Sequence, residues 1–420
     1  PERAAPLCGV DADLIRQAAR LYAGTQPALM VHGLGMTEHV QGVESVMALV
    51  NLALLTGNVG KPGAGVNPLR GQNNVQGAAH MGCDPGILTG GVSLDEGREA
   101  FARHWGAPLP STPGLDALHM MDAAAAGRLK GLWCIGYDIL HSNANRTATE
   151  RALANLELLI VQDLFLTETA REFAHVFLPA ASAFEKEGSF MNAERRIQRI
   201  RAAVPPPGEA RADWQILGAV AQALGYEAAF RFDSARAIWE EITRVWPAAA
   251  GISYARLEAG GLQWPCPSAD HPGTAILHRD SFPGGKRAAL KCLAYHPSPE
   301  ETSAEYPFLL ITGRTLYAFN AATMTARTPL VQLRPTDTLD MAPADAQRLG
   351  LQDGQRVRLC SRYGQTELPL RVLDAMKPGE LFASFHDPAV RLNVVTGPQR
   401  DRFVHTPEYK RTAVRVESCA

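Results

Sequence analysis

Apolar residues recur every three or four positions over residues 11–22 (DADLIRQAARLY), behind an aspartate that can cap a helix. Residues 28–35 (ALMVHGLG) form a short apolar run that ends in glycine, which is typical of a buried strand. A second helical pattern covers residues 44–55, and a loop rich in glycine and proline follows it. The first part of the chain is therefore predicted to alternate helix and strand.

Three more short apolar runs lie at residues 131–136, 156–163 and 175–180, separated by helix-like segments. Such alternation indicates parallel strands joined by crossover helices. A helix is predicted over residues 213–224 and closes this unit. Ligands of open α/β sheets bind beyond the carboxyl ends of the strands, so a cofactor is expected near the residues that follow these runs.

The pattern changes after Tyr306 to short strands with glycine turns, namely FLLITGR, a hairpin within QRVRLCSRYGQTELPLRV, and GELFASF. This region is predicted to be a separate, mostly β domain. Residues 230–303 mix proline, glycine and charge without a sustained period, which indicates a connecting segment with little sheet. The predicted class is thus α/β with a parallel sheet, followed by a β domain.

Composition excludes several classes of function. The 420 residues are 46% hydrophobic and 20% charged, which is typical of a folded protein of more than one domain. A net charge of -2 gives no broad positive field for nucleic acid, and no apolar stretch reaches the roughly 20 residues of a membrane span. The seven cysteines include no CxxC pair, so we predict no metal ligand and expect a reducing, cytoplasmic location. The chain opens on Pro1, and we interpret it as part of a longer protein.

Residues 54–82, LLTGNVGKPGAGVNPLRGQNNVQGAAHMG, closely resemble the molybdopterin-dependent formate dehydrogenases of the dimethyl sulfoxide reductase superfamily. The resemblance continues through residues 161–217, 306–329 and 385–417. It therefore covers most of the chain outside residues 230–303.

The resemblance implies a domain plan. Residues 1–72 would end one α/β domain, and residues 73–227 would be the second half of the molybdopterin-oxidoreductase α/β domain. Residues 228–304 would connect them to a molybdopterin-dinucleotide-binding barrel of the six-stranded double-psi type at residues 305–420. The N-terminal half of the subunit would lie outside this chain, together with its iron–sulfur clusters and the cysteine or selenocysteine that ligates the metal.

Two residues are predicted to be catalytic. Orienting formate, a small carboxylate, requires a rigid cation with paired donors, and the planar guanidinium of Arg70 is suited to this. By resemblance, Arg70 faces the substrate and Gln72 occupies a second active-site position. A lone loop arginine is more often a surface charge or a carboxylate partner, but its place within NPLRGQNNVQGA favours the functional interpretation. His80 and Cys83 form only an isolated HxxC, so Cys83 is interpreted as a small loop or core residue.

The implied cofactor is a pair of molybdopterin guanine dinucleotides carrying Mo or W, whose guanine presents donors that suit a carboxylate and whose pyrophosphate suits loop N–H groups. Asp138 and Asp163 follow strand ends and could accept from guanine, although Asp138 could equally be a helix cap. The complete set of predicted cofactor-binding residues is Gly136, Asp138, Gln162, Asp163, Thr167, Thr312, Gly313, Arg314, Met324, Thr325, Asn393, Tyr409 and Lys410. The last eight lie in the predicted barrel.

The implied activity is oxidation of formate to carbon dioxide, with electrons leaving through iron–sulfur clusters to an iron–sulfur or flavin/NAD subunit. Expected partners are formate, the N-terminal half of the same subunit and such electron-transfer subunits, but not nucleic acid. Two alternatives stay open: a cofactor-binding or scaffold fragment without activity, related to the pterin-free large subunit of respiratory complex I, or another molybdopterin oxidoreductase such as nitrate reductase. Arg70 argues against nitrate reductase and against the complex I scaffold, but not against a cofactor-binding fragment that is inactive alone. The fragment by itself is predicted to be inactive.

Overall fold

The computed structural model describes residues 1–419, and within that range no helix is both long and apolar enough to cross a bilayer. The α-helices are α1 (Ala5–Cys8), α2 (Ala12–Gly24), α3 (Leu34–Thr37), α4 (Gly42–Leu55), α5 (Val75–His80), α6 (Leu94–Trp105), α7 (Ala117–Ala125), α8 (Ile139–Ser142), α9 (Arg146–Ala154), α10 (Glu168–Phe173), α11 (Asp213–Ala223), α12 (Ala235–Val245), α13 (Tyr254–Leu257) and α14 (Pro343–Leu349). Short 3-10 helices lie at Pro247–Ala249, Thr325–Arg327, Pro329–Leu333 and Leu392–Val394. The three helices predicted from apolar periodicity are confirmed as α2, α4 and α11.

The strands of the described residues form four small open sheets and one closed barrel. They are β1 (Leu29–His32), β2 (Gly65–Pro68), β3 (Ile87–Leu88), β4 (Val92–Ser93), β5 (Gly131–Ile135), β6 (Leu158–Asp163), β7 (Val176–Pro179), β8 (Gly188–Met191), β9 (Arg196–Ile200), β10 (Leu262–Gln263), β11 (Phe308–Gly313), β12 (Leu339–Met341), β13 (Arg356–Ser361), β14 (Gln365–Val372), β15 (Glu380–Ser384) and β16 (Thr412–Ser418).

Two parallel sheets carry the strand ends where a cofactor was predicted. The first pairs β1 with β2, and the second has the order β5-β6-β7. The apolar runs at residues 131–136, 156–163 and 175–180 are confirmed as the three strands of the second sheet. Leu159 and Val161 of β6 and Leu140 of α8 are fully buried there, because this helix covers the central strand.

A third unit combines two strands from the predicted α/β region with residues that the sequence pattern left as a connector. Strands β8, β9 and β10 form an antiparallel sheet, and α12 packs against β8. Trp239, Trp246 and Ile252 are buried in its core. The prediction of little sheet is confirmed, since only β10 lies between residues 230 and 303. Helix α12, which Ser234 caps by accepting from the Ala237 N–H at 3.2 Å, was missed.

The C-terminal β domain is a closed six-stranded barrel with the order β11-β15-β12-β14-β13-β16. The pairs β11–β15 and β12–β14 are parallel, and the other pairs are antiparallel. Alternate residues of the strands point inward, so Leu339, Leu359 and Val414 are completely buried. The predicted class, parallel-sheet α/β followed by a barrel, is confirmed.

A buried arginine connects three helices of the second sheet's unit. The Arg146 guanidinium donates to both carboxylate oxygens of Glu168, at 2.8 and 2.9 Å, to Glu150 at 2.8 Å and to the Leu140 carbonyl at 3.2 Å. Arg146 is 2% exposed. A buried charge of this kind is stable only when it is fully paired, so α8, α9 and α10 depend on it for their relative positions.

Replacing Arg146 by alanine is therefore expected to lower the free energy of unfolding by about 3 kcal/mol, because Glu168 would lose its two-pronged partner and keep only the half-exposed Arg391, at 3.2 Å. The matched control is Arg236→Ala in α12, which also pairs with a glutamate four residues later, Glu240, but on an exposed surface. That variant should lose less than about 0.5 kcal/mol. The measurement is urea unfolding followed by circular dichroism, and equal losses in the two variants would contradict the assignment.

Candidate functional site

Arg70 and Gln72 lie in the loop that follows the carboxyl end of β2. The Leu69 N–H donates to the His32 carbonyl at 2.8 Å, so this loop leaves the first sheet beside the end of β1. Arg70 Nε donates to Gln76 Oε1 of α5 at 2.9 Å. Within residues 1–419 no carboxylate lies within 4.0 Å of the Arg70 guanidinium, so its terminal nitrogens are available to an anion.

A cavity of about 590 Å³ lies beside Arg70. Its wall includes the glycine-rich loop before β2 and three further basic side chains, Lys61, Arg195 and His278. Burial lowers the pKa of nearby His80, and the positive charges of Arg70 and Arg195 lower it further. Lys61, Arg70 and Arg195 outnumber the single carboxylate of the wall, Glu194, so the cavity is a net electropositive environment that favours a small anion.

Gly136, Gln162 and Thr167 lie at the carboxyl ends of β5 and β6, as predicted. The Gly136 N–H donates to the Gln162 carbonyl at 2.8 Å, and Gly136 has a φ of 64°, which glycine adopts without strain. Gln162 is completely buried; its Nε2 donates to Asp213 at 2.9 Å, but its Oε1 has no partner among residues 1–419. Thr167 caps α10 by accepting from the Ala170 N–H.

The two predicted guanine acceptors differ in how much of their carboxylate is free. Asp138 is 6% exposed and accepts from the Thr169 hydroxyl at 2.6 Å, the Thr169 N–H at 3.1 Å and the Glu168 N–H at 3.2 Å. This geometry favours the interpretation of Asp138 as a helix cap. The helix that it caps is α10 and not α8, which directly follows Asp138 in the chain. Asp163 accepts from the Leu164 N–H at 2.7 Å and from the Phe165 N–H of the same loop. Burial raises the pKa of Asp163, and because these partners all belong to its own loop, its carboxylate is the better candidate acceptor for a ligand.

Thr312, Gly313 and Arg314 follow one another at the end of β11. Thr312 is buried, and its hydroxyl donates to the Tyr409 carbonyl at 2.7 Å. Gly313 lies against the Phe382 ring, which leaves no room for a larger side chain. Arg314 is exposed, with no carboxylate within 4.0 Å in the described chain, and its guanidinium approaches the backbone at Gly71.

Met324 and Thr325 lie in the next barrel loop, which reaches the second parallel sheet. Met324 is 45% exposed, and the Thr325 hydroxyl accepts from the Phe319 N–H at 3.1 Å. The guanidinium of Arg327, two residues further on, lies 4.6 Å from the centre of the Phe165 ring, in the loop that follows Asp163. This loop therefore brings a second arginine near the Asp163 carboxylate.

Asn393, Tyr409 and Lys410 join the barrel to both parallel sheets. Asn393 Nδ2 donates to the carbonyls of His141 and Ser142 at 3.1 Å, whereas its buried Oδ1 lacks a partner in the described structure. The Tyr409 hydroxyl donates to the Ser142 carbonyl at 2.9 Å. Lys410 Nζ lies 3.1 Å from Glu38, directly after α3, and burial raises the pKa of that carboxyl.

The predicted residues thus form two groups on either side of the barrel loops. Arg70 and Gln72 flank Gly71, which Arg314 approaches, while Gly136, Gln162, Asp163 and Thr167 lie on the side of Arg327. The donor set fits a pterin dinucleotide: the guanidinium groups of Arg314 and Arg327 suit phosphate, and Asp163 suits guanine. The orphaned oxygens of Gln162 and Asn393 are further acceptors for ligand N–H groups.

Sequence reasoning missed Glu38, Arg195 and Arg327. Arg327 stands two residues after Thr325 in the resembling segment AATMTAR, and Arg195 lies within NAERR of another resembling segment, so considering every arginine of these segments would have included both. Nothing local distinguishes Glu38, because its partner Lys410 is remote in the sequence. His80 packs edge-on against Trp264 at 4.8 Å, and Cys83 is an exposed loop residue.

The chain is similar to several known proteins. It is 40% identical over 419 residues to the alpha subunit of an F420-dependent formate dehydrogenase from Methanocaldococcus jannaschii, covering 99% of this chain and 62% of that protein. It is 36% identical to formate dehydrogenase H of Escherichia coli, covering all of this chain and 60% of that protein. The chain thus spans about three fifths of the length of these curated relatives.

A solved structure shares the fold. Acetylene hydratase from Pelobacter acetylenicus superposes with a TM-score of 0.71 over all of this chain and 64% of that one, at 18% sequence identity. This similarity supports the architecture alone. Residues 308–413 match the family model described as "Molydopterin dinucleotide binding domain", and residues 9–223 match the model of the molybdopterin oxidoreductases. The match over residues 9–223 covers half of the chain. The chain therefore belongs to the molybdopterin oxidoreductase family, as the resemblance predicted.

Proposed function

We propose that this chain is the C-terminal part of a formate dehydrogenase catalytic subunit, which oxidises formate to carbon dioxide at a Mo or W centre held by two molybdopterin guanine dinucleotides. The observation that carries the proposal is Arg70, an exposed guanidinium without a carboxylate partner in residues 1–419, on the wall of an electropositive cavity. The similarity to formate dehydrogenase alpha subunits supports it.

Arg70 would bind and orient the substrate carboxylate. Its Nε is already occupied by Gln76, which fixes the plane of the guanidinium and leaves the two terminal nitrogens as a pair of donors. Two parallel N–H groups match the two oxygens of formate, and such charge-assisted pairs are strong and directional. Gln72, two residues away and exposed, would supply a further polar contact beside the substrate.

When bound, the pterin-held metal supplies an acceptor for the two electrons that formate releases as it becomes carbon dioxide and a proton. The chain's own residues hold the substrate and the dinucleotide. Arg314 and Arg327 would bind phosphate oxygens, and Asp163 would accept from the guanine. Lys410, already paired with Glu38 and donating to the Thr312 carbonyl at 2.9 Å, would line the pterin together with Tyr409 and Asn393.

The first parallel sheet has a surface suited to the N-terminal half of the subunit. Leu29 and Val31 of β1 are 51% and 54% exposed, although they belong to a parallel strand, a kind normally covered on both faces. We propose that the N-terminal half packs here and contributes the iron–sulfur clusters and the metal ligand. Electrons would then pass to an iron–sulfur or flavin/NAD subunit in the cytoplasm.

Replacing Arg70 by alanine in the complete, cofactor-loaded subunit should lower kcat/KM for formate at least about 100-fold, because one oriented donor pair of this kind contributes about 3 kcal/mol. Arg70→Lys should restore only part of the activity, since lysine keeps the charge without the fork. The measurements are formate oxidation with an artificial electron acceptor, and Mo, W and guanine content.

The matched control is Arg231→Ala, an exposed loop arginine before α12, which should leave both measurements unchanged. Loss of metal or guanine in Arg70→Ala would contradict a substrate role, and unchanged turnover would remove the basis of the proposal. Absence of pterin from the matured wild-type subunit would instead favour a scaffold.

Asp163→Asn should weaken retention of the guanine dinucleotide by roughly 10- to 100-fold, because an amide N–H₂ would replace an acceptor that faces guanine donors. The side chain keeps its shape and can still accept from the Leu164 N–H, so the thermal unfolding midpoint should not fall. Guanine release on dilution and differential scanning calorimetry measure the two quantities.

The comparison variant is Asp138→Asn, whose carboxylate caps α10. Both Asp138 oxygens accept from donors, so the new amide N–H₂ would face a backbone N–H; the variant should lose about 1–3 kcal/mol of stability and lower the unfolding midpoint, yet retain guanine in its folded fraction. The reverse result, guanine loss in Asp138→Asn alone, would assign the guanine to Asp138 instead.

A further inference from the structure

A cluster of three possible metal ligands lies apart from the proposed pterin and formate contacts, where α7 meets the segment that enters β16. Asp116 caps α7, and its Oδ1 accepts from the N–H groups of Leu118 and His119 at 3.1 and 3.0 Å. The cap uses only this oxygen, so Oδ2 is directed away from the helix backbone and is available to other groups.

Two imidazoles converge on that second oxygen. His119 Nδ1 lies 2.7 Å from Asp116 Oδ2, and His405 Nδ1 lies 2.8 Å from the same atom. The rings are perpendicular, with centroids 4.5 Å apart, and the three potential ligand atoms all lie within 4.8 Å of one another. Each of these hydrogen bonds requires a proton on the Nδ1 atom of the histidine. The two Nδ1 protons therefore point at Asp116 Oδ2, in the space where one cation could bind instead.

His405 is held in place by a rigid turn. Its N–H donates to the Asp401 carbonyl at 3.0 Å, and it adopts a φ of 58°, a left-handed conformation that is uncommon for a residue with a Cβ. Asp401 is completely buried, and its carboxylate accepts from the N–H groups of Phe403 and Val404 at 2.8 and 2.9 Å. The imidazole of His405 is therefore already positioned in the absence of a ligand.

The nearest additional charges cancel each other. Asp122, one turn further along α7, forms a two-pronged pair with Arg400, at 2.7 and 3.0 Å. The hydrogen bonds from Arg400 lower the pKa of Asp122, so this carboxylate is ionised and already paired. The cluster itself therefore offers one carboxylate and two imidazoles, a set that zinc and related divalent ions bind readily.

We propose that Asp116 Oδ2, His119 Nδ1 and His405 Nδ1 bind one divalent transition-metal ion, with Zn²⁺ as the representative probe. Ligand atoms around a tetrahedral zinc are roughly 3.3 Å apart, so the two shortest separations need to widen by about half an ångström. In each imidazole the proton leaves Nδ1 and the remaining N–H is carried by Nε2. All three side chains are partly exposed, which leaves the fourth position to water.

Such an ion would cross-link two domains. Asp116 and His119 belong to the unit of the second parallel sheet, whereas His405 belongs to the barrel. A ligand at concentration L that binds only the docked arrangement stabilises it by RT ln(1 + L/Kd), so the stabilisation grows with the logarithm of the ligand concentration once that exceeds the dissociation constant. The site involves neither formate nor the pterin, so it does not depend on the proposed function.

The test is titration of the metal-depleted protein with Zn²⁺ alone, followed by calorimetry, after alkylation of exposed cysteines. Co²⁺ alone serves as the spectroscopic probe, because visible d–d bands report its coordination. The variants are Asp116→Asn, which keeps a helix cap, and His405→Asn, which keeps a residue tolerant of the left-handed turn. The control is His104→Ala, an exposed histidine at the end of α6.

The expected result is one equivalent of Zn²⁺ in the wild type and in His104→Ala, with at least about 10-fold weaker binding in the two ligand variants. Adding Zn²⁺ should raise the unfolding midpoint of the wild type and of His104→Ala, but not that of the two ligand variants. Equal Zn²⁺ uptake by wild type and His405→Asn, or Co²⁺ spectra that the ligand substitutions leave unchanged, would overturn the proposal and leave a hydrogen-bonded contact only.

Discussion

The arrangement of the domains depends on two buried carboxylates in the segment between β15 and β16. Asp401 is completely buried and Glu408 is 2% exposed. Asp401 Oδ2 accepts from the Val43 N–H at 3.1 Å, and Glu408 accepts from the Val40 N–H at 3.3 Å and the Ser298 hydroxyl at 2.6 Å. Burying a carboxylate without such donors costs several kcal/mol of folding free energy. The two carboxylates gain these donors only when the barrel packs against the start of α4.

Once the barrel is docked there, the same segment completes the candidate site. Tyr409 reaches the Ser142 carbonyl and Lys410 reaches Glu38, so the end of β11 is held between the loops that follow β1 and β5. Neither the barrel nor the α/β part contains the site alone. This division explains why Asp163 and Arg327, which come from different domains, lie near the same proposed guanine.

Pairing and position together separate the structural arginines from the candidate functional ones, because an exposed arginine such as Arg231 also lacks a carboxylate partner within residues 1–419 but lies away from the barrel loops. Arg146 is buried and bonded to two carboxylates, whereas Arg70, Arg314 and Arg327 have no carboxylate partner within the residues that the structure describes. A guanidinium that stabilises a fold is normally saturated by its neighbours. Three unsaturated ones around the meeting point of the domains are what an anionic cofactor and an anionic substrate require.

Much of the fold follows from the sequence alone, because apolar periodicity is a local property. The strands of the second parallel sheet, helices α2, α4 and α11, and the change to a β domain after Tyr306 were all predicted correctly. The family is likewise indicated by a continuous stretch of sequence, the motif around Arg70. Helix α12 carries local signals, an apolar periodicity and the Ser234 cap, and it was missed because residues 230–303 were interpreted together as one connecting segment.

The tertiary structure alone decided how individual side chains are used. Asp138 and Asp163 follow strand ends in the same way in the sequence, yet the docking of α10 saturates the first, whereas the second accepts only from N–H groups of its own loop. Asp116 and His405 are 289 positions apart, and only the buried turn at Asp401 brings them together. Periodicity is set by neighbours along the chain, whereas a hydrogen-bond partner is set by which domains pack together, so the elements were predictable and the partners were not.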